Sequence, residues 1–171
     1  QFLCCPICQK KLEFNGTQWV CKNSDCNGSF PLVNGIPILI DEDKSIFSID
    51  DFVNEQNTFF NLSPQNQLKK TLIKFLPDIN RNIKSGQNYA RFAKLLSLRG
   101  HNPKVLIIGG SIVGNGMEAV VENRDLELVE TDVSFGPRTN LICDAHSLPF
   151  EDNSFDGVIA QAVLEHVVDP Y

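Results

Sequence analysis

Val105-Leu106-Ile107-Ile108-Gly109-Gly110-Ser111-Ile112-Val113-Gly114-Asn115-Gly116 is a continuous apolar run that breaks into a glycine-rich turn. A short run that is apolar on both faces suits a strand buried in a parallel sheet, and glycines behind it let the backbone approach a ligand closely. Downstream, residues 116–122 read as a short helix, 126–129 as a second strand, 140–143 as a third and 155–159 as a fourth. Strand and helix alternate, so this part of the chain is α/β. Asp132 stands at the end of the second strand, where a carboxylate can accept hydrogen bonds from two ribose hydroxyls. Its plainer reading is the N-cap of a helix beginning at Val133.

Upstream the pattern changes twice. Residues 1–40 are rich in Cys, Gly and Pro, with short β-like runs at 17–20 and 36–40 and no helical period. An acidic stretch from Asp41 to Glu55 reads as a linker entering a helix. Ser63-Pro64 is an N-cap and first-turn pair followed by Leu68, Leu72 and Leu76; Tyr89, Phe92, Ala93 and Leu96 repeat the spacing before Gly100 ends it. The expected organisation is a small module over 1–42, an acidic linker and helical segment over 43–100, and an α/β part over 101–171.

Charge follows the same division. The net charge is -6, but residues 1–100 carry 12 Lys/Arg against 9 Asp/Glu and residues 101–171 carry 3 against 12. Residues 61–100 hold Lys69, Lys70, Lys74, Arg81, Lys84, Arg91, Lys94 and Arg99 against Asp78 alone. Such a run is either an anion-facing surface or the solvated faces of amphipathic helices. No apolar run reaches the roughly 18 residues that span a bilayer, and no signal peptide is recognisable, so a cytoplasmic protein is expected.

Five of the six cysteines precede residue 27. Clustering of this kind outside a secretory context favours metal over disulfides. Cys5-Pro6-Ile7-Cys8 and the later pair Cys21 and Cys26 supply four thiolates, which close a tetrahedron around structural Zn(2+) and leave no position open for catalysis. Cys4 competes with Cys5 for the first place, although the Cys-Pro-x-Cys turn favours Cys5. A module of about forty residues buries too little apolar surface to fold unaided, so the metal would supply much of the folding free energy. Cys143 reads as a buried, inert thiol.

The stretch from Cys143 through Asp144-Ala145-His146-Ser147-Leu148-Pro149-Phe150 to Ser154-Phe155-Asp156-Gly157-Val158-Ile159 closely resembles the segment of class I S-adenosylmethionine-dependent methyltransferases (methyltransferase type 11-like) that joins the third strand to the fourth. Ala162-Val163-Leu164-Glu165-His166-Val167 continues the resemblance, which spans about residues 103–170. It implies a Rossmann-like sheet binding S-adenosylmethionine. Gly109, Gly110, Ser111 and Gly114 would form the glycine turn, Asp132 would hold the ribose, Asp144 and Ala145 the adenine, and Gln161 the methionine side. The pattern departs from the family at Ile107, where an acidic residue is usual, and at Ser111, where glycine is. That family's sheet has seven strands and this pattern reaches only a fourth before Tyr171, so the natural polypeptide is expected to continue. His146 and His166 are candidates by type for a general base, but no spacing assigns either one, and no catalytic residue is nominated.

Residues 2–41, through Phe30-Pro31-Leu32-Val33-Asn34-Gly35-Ile36-Pro37-Ile38-Leu39, resemble the small zinc-binding activator proteins of tRNA and translation-factor methyltransferases. That resemblance implies a zinc-ribbon module that binds a partner or orients a substrate. A Cys4 module on a methyltransferase also resembles the ribosomal RNA guanine methyltransferases, and the basic 61–100 segment fits RNA as a partner. The pI near 5.0 weighs the other way, leaving an unidentified methyl acceptor, RNA or a small molecule or glycan. A homo-oligomer is compatible with all of this. Two other classes stay open: an NAD-dependent oxidoreductase, with Gly109-x-Ser111-x-x-Gly114 and Glu130 or Asp132 as a variant fingerprint, and a non-catalytic binding or scaffold protein.

Overall fold

The computed structural model describes residues 2–54, 83–100, 102–160 and 163–167. The helix expected after Ser63-Pro64 and the position of Gln161 lie outside the described residues. The elements in chain order are β1 (Leu12–Phe14), β2 (Gln18–Cys21), β3 (Ser29–Val33), β4 (Ile36–Leu39), α1 (Ile49–Val53), α2 (Ile83–Ser97), β5 (Lys104–Ile108), α3 (Glu118–Val121), β6 (Glu127–Asp132), β7 (Leu141–Cys143) and β8 (Gly157–Ala160), followed by a 3-10 turn over Leu164–His166. The fourth strand of the α/β part starts later than the apolar run suggests, because Asp156 Oδ2 first accepts the Lys104 amide at 2.8 Å.

The strands form one mixed sheet in the order β1-β2-β3-β4-β7-β6-β5-β8. β1 to β4 are an antiparallel meander, and β4, β7, β6, β5 and β8 run parallel. The join is the parallel pair β4 and β7, with Ile38 beside Ile142 and Leu39 beside Cys143. The boundary expected near residue 42 thus follows a strand that the cysteine-rich segment contributes to the sheet. This addition covers an edge of β7 that would otherwise expose unpaired backbone groups. β8 ends the other side, and its outer edge has no partner strand among the described residues.

Side chains alternate across β4 and β7, as strands require. Ile38, Ile40 and Ile142 pack with Phe52 of α1 on one face. Leu39, Leu141 and Cys143 pack with Cys5, Leu12 and Phe30 on the other. Both faces of β7 are therefore covered by the first 54 residues. α1 starts with a capping box, Ser48 Oγ accepting the Asp51 amide at 3.3 Å while Asp51 Oδ2 accepts the Ser48 amide at 2.9 Å. A separate core joins Ala93 and Leu96 of α2 to Val105, Ile107, Met117, Val120, Leu126 and Ile159, as the spacing of Tyr89, Phe92, Ala93 and Leu96 predicts. No helix among the described residues is long and apolar enough to cross a membrane.

Candidate functional site

The C-terminal ends of β5, β6 and β7 open onto a cavity of about 640 Å³, a size within the range of small-molecule and cofactor sites. Its polar wall comes from the strand ends and the glycine turn: Gly109, Ser111, Gly114, Thr131 and Asp132. Ile46, Phe47, Ile112, Val113 and Met117 give it an apolar wall. This is where open α/β sheets bind ligands, because loops leaving neighbouring parallel strands diverge there.

The turn after β5 is tied down before it meets a ligand. Gly109 takes φ +74, a left-handed conformation that a side chain disfavours. The amides of Gly109 and Gly110 both donate to the Thr131 carbonyl, at 2.8 and 2.9 Å. Gly110 lies outside the cavity lining, and a Cβ there would come within 3.0 Å of the Glu130 Cβ. The Ser111 amide donates to Asp132 Oδ2 at 3.0 Å, while Asp132 Oδ1 accepts the amide and hydroxyl of Ser134, both at 3.0 Å. Asp132 is buried and lines the cavity. The bond to Ser134 is an Asx turn; no helix follows Asp132 among the described residues, so the capping role is not taken up.

Glu130 faces other work. Its carboxylate accepts from Arg138 through both Nε, at 2.8 Å, and the terminal nitrogen, and that hydrogen bond holds the guanidinium above its usual range. The pair is asymmetric, Glu130 being 4% exposed and Arg138 31%.

Asp144 and Ala145 follow β7. Ala145 lines the cavity, and Asp144 sits behind it, buried. Asp144 Oδ1 accepts the His146 amide at 2.9 Å and lies 2.6 Å from His146 Nδ1; Oδ2 accepts the Ser45 hydroxyl at 2.5 Å. Burial works against the charged form, but the His146 amide, the Ser45 hydroxyl and the His146 ring outweigh it and keep the carboxyl below its ordinary range. Ser45, Ile46 and Phe47 have no signal in the sequence that connects them to this site. Burial pushes the Cys143 thiol up to about 12, in keeping with an inert thiol.

The second constellation is the cysteine cluster. The sulfurs of Cys5, Cys8, Cys21 and Cys26 lie within 4.8 Å of one another. Cys5 Sγ is 3.8 Å from Cys26 Sγ, and Cys8 Sγ is 3.4 Å from Cys21 Sγ, too long for disulfides. A tetrahedron with metal–sulfur bonds of roughly 2.3 Å has sulfur–sulfur edges of roughly 3.8 Å, so the donor set fits a metal of zinc's size. Two turns build it: the Gln9 amide donates to the Cys5 carbonyl at 2.8 Å, and the Cys26 amide to the Asn23 carbonyl at 3.0 Å. Burial raises the Cys5 thiol. Cys8 also meets burial, but the Lys10 amide and the Cys21 thiol bring it down to about 7. Cys4 stands apart, its thiol donating to Gln9 Oε1 at 2.8 Å.

Parallel strands, a glycine turn, an acid at the next strand end and a cavity across them define a ligand-binding α/β protein. A family model described as a methyltransferase domain matches residues 110–171. The match supports a methyltransferase domain in this part of the chain, and such a domain implies use of S-adenosylmethionine. No curated protein matches the chain.

Proposed function

We propose that residues 101–171 belong to a Rossmann-like, S-adenosylmethionine-dependent methyltransferase domain, and that the cysteine cluster holds a structural zinc ion. The observation that carries the reading is convergence: Gly109, Ser111, Gly114, Asp132 and Ala145, chosen by resemblance, all line one cavity, and the methyltransferase match begins inside that glycine turn.

When bound, S-adenosylmethionine would supply a sulfonium methyl group for in-line displacement by the acceptor's nucleophile. The residues then orient and exclude water. Asp132, held by Ser111 and Ser134, keeps acceptor capacity for ribose hydroxyls; a carboxylate has about four lone-pair sites, and three hydrogen bonds occupy Asp132 here. Ala145 is small enough to leave room for the face of a base. Ile112, Val113, Met117 and Phe47 form a dry wall. That wall favours a small acceptor with an apolar body over RNA. Zinc held by Cys5, Cys8, Cys21 and Cys26 would have four thiolate ligands and no open position, so it serves the fold.

Calorimetry with S-adenosylhomocysteine, on protein of measured zinc content, tests this. Saturable binding that Asp132→Ala abolishes is the expected result. A folded, zinc-loaded protein that binds no S-adenosylhomocysteine would overturn the cofactor reading.

A further inference from the structure

The cavity has one wall that the glycine turn and the strand ends do not supply. It comes from the arm between β4 and α1. Because β4 and β7 are parallel and Leu39 lies beside Cys143, the residues following each strand emerge at the same end of the sheet. The arm then folds back on itself: the Lys44 and Ser45 amides donate to the Asp41 carbonyl at 3.1 and 2.9 Å. This turn points the Ser45 hydroxyl at Asp144 Oδ2, 2.5 Å away, while the same oxygen of Ser45 accepts the Phe47 amide at 3.2 Å. Ile46 and Phe47 come next and line the cavity. The bond joins residues 99 positions apart.

We propose that Ser45 is a positioning residue of the cofactor site, fixing the Asp144 carboxylate so that it can read the exocyclic amine of a bound adenine. This rests on the methyltransferase reading above. Two donors from His146 occupy Oδ1 and the Ser45 hydroxyl occupies one side of Oδ2, so of a carboxylate's roughly four acceptor sites one remains, on Oδ2. An amine donates to that site. Hypoxanthine presents a carbonyl in the amine's place, which a carboxylate repels. Removing the Ser45 hydroxyl frees the carboxylate to turn about its terminal bond, and discrimination between the two bases falls. The segment following the cysteine module would thereby contribute to base selection.

Calorimetry on the zinc-loaded chain with S-adenosylhomocysteine and with S-inosylhomocysteine, its deaminated counterpart, separates positioning from mere support. Ser45→Ala is expected to weaken S-adenosylhomocysteine about tenfold, the size of one hydrogen bond to a charged group, and to leave S-inosylhomocysteine unchanged; Ser45→Thr restores the difference. Equal weakening of both ligands, or of neither, overturns the proposal while the cofactor reading stands. Absence of binding to the wild-type chain removes the cofactor reading itself, and this proposal with it.

Discussion

Ile38 of β4 lies beside Ile142 of β7 in a parallel pair, so the cysteine-bearing segment and the strand leading to the cavity share one hydrogen-bonded sheet. Further ties run between them: the Cys4 amide donates to the Pro149 carbonyl and the Ser147 hydroxyl to the Pro6 carbonyl, both at 2.9 Å. Pro6 lies within the Cys5 to Cys8 turn, so the cluster and the segment after Asp144 hold each other in place.

Metal removal should therefore be felt at the cavity. Chelation is expected to lower the melting temperature by several degrees and to weaken S-adenosylhomocysteine, since a structural site is part of the folding free energy. Thiol counting gives the sharper check. Chelator should release four reactive thiols, and denaturant the remaining two, Cys4 and Cys143, which are buried outside the cluster. Six thiols reacting at once in the untreated, folded chain would contradict the assignment.

Gly136→Ala should disturb the glycine turn from outside. A Cβ at Gly136 would stand 2.6 Å from the Ser111 Cβ and 2.8 Å from the Ser111 carbonyl oxygen. The backbone must move to admit it, at about 1–3 kcal/mol. Denaturant unfolding reads that cost, and cofactor affinity should fall too, because Ser111 also donates to Asp132.

Arg138→Met leaves Glu130 buried without its partner. Breaking such a pair from one side costs about 3 kcal/mol, whereas exchanging both residues for apolar ones of similar volume is close to neutral. Equilibrium unfolding of Arg138→Met and of the double variant with Glu130→Met distinguishes the two. Equal destabilisation in both would mean that the pair does not act as a unit.

Asp144 gives stability a pH dependence of known sign. Its carboxyl lies lower in the folded chain than in the unfolded one, so the ionised form favours folding. That contribution is complete above the ordinary aspartate value of about 3.9 and is lost as pH falls below it through the folded value. The stability gap between wild type and Asp144→Asn should be flat from neutral pH down to about pH 4 and close below that. A gap that widened on acidification would show the opposite sign of shift.

Much of the site was legible because its chemistry is local. A buried apolar run ending in glycines must turn, and cysteines spaced as Cys5, Cys8, Cys21 and Cys26 meet at one point once each pair forms its own turn. Cys4 and Cys5 could not be separated by spacing alone, since adjacent residues differ in which way they face, and facing is set by the Gln9 contact. The helix cap expected at Asp132 is absent for a similar reason: Ser134 and Ser111 engage the carboxylate from two different parts of the chain.

The sequence by itself determined which segments are strands, where the backbone turns, which cysteines can share a metal, and which acids stand at strand ends, because periodicity, glycine and donor spacing act over a few residues. Only the tertiary structure decided that β4 joins β7, that Ser45 meets Asp144, and that Glu130 faces Arg138 while Asp132 faces the cavity. Those outcomes depend on which edge of the sheet is left uncovered and on alternation along β6, where a shift of one residue turns a side chain to the opposite face.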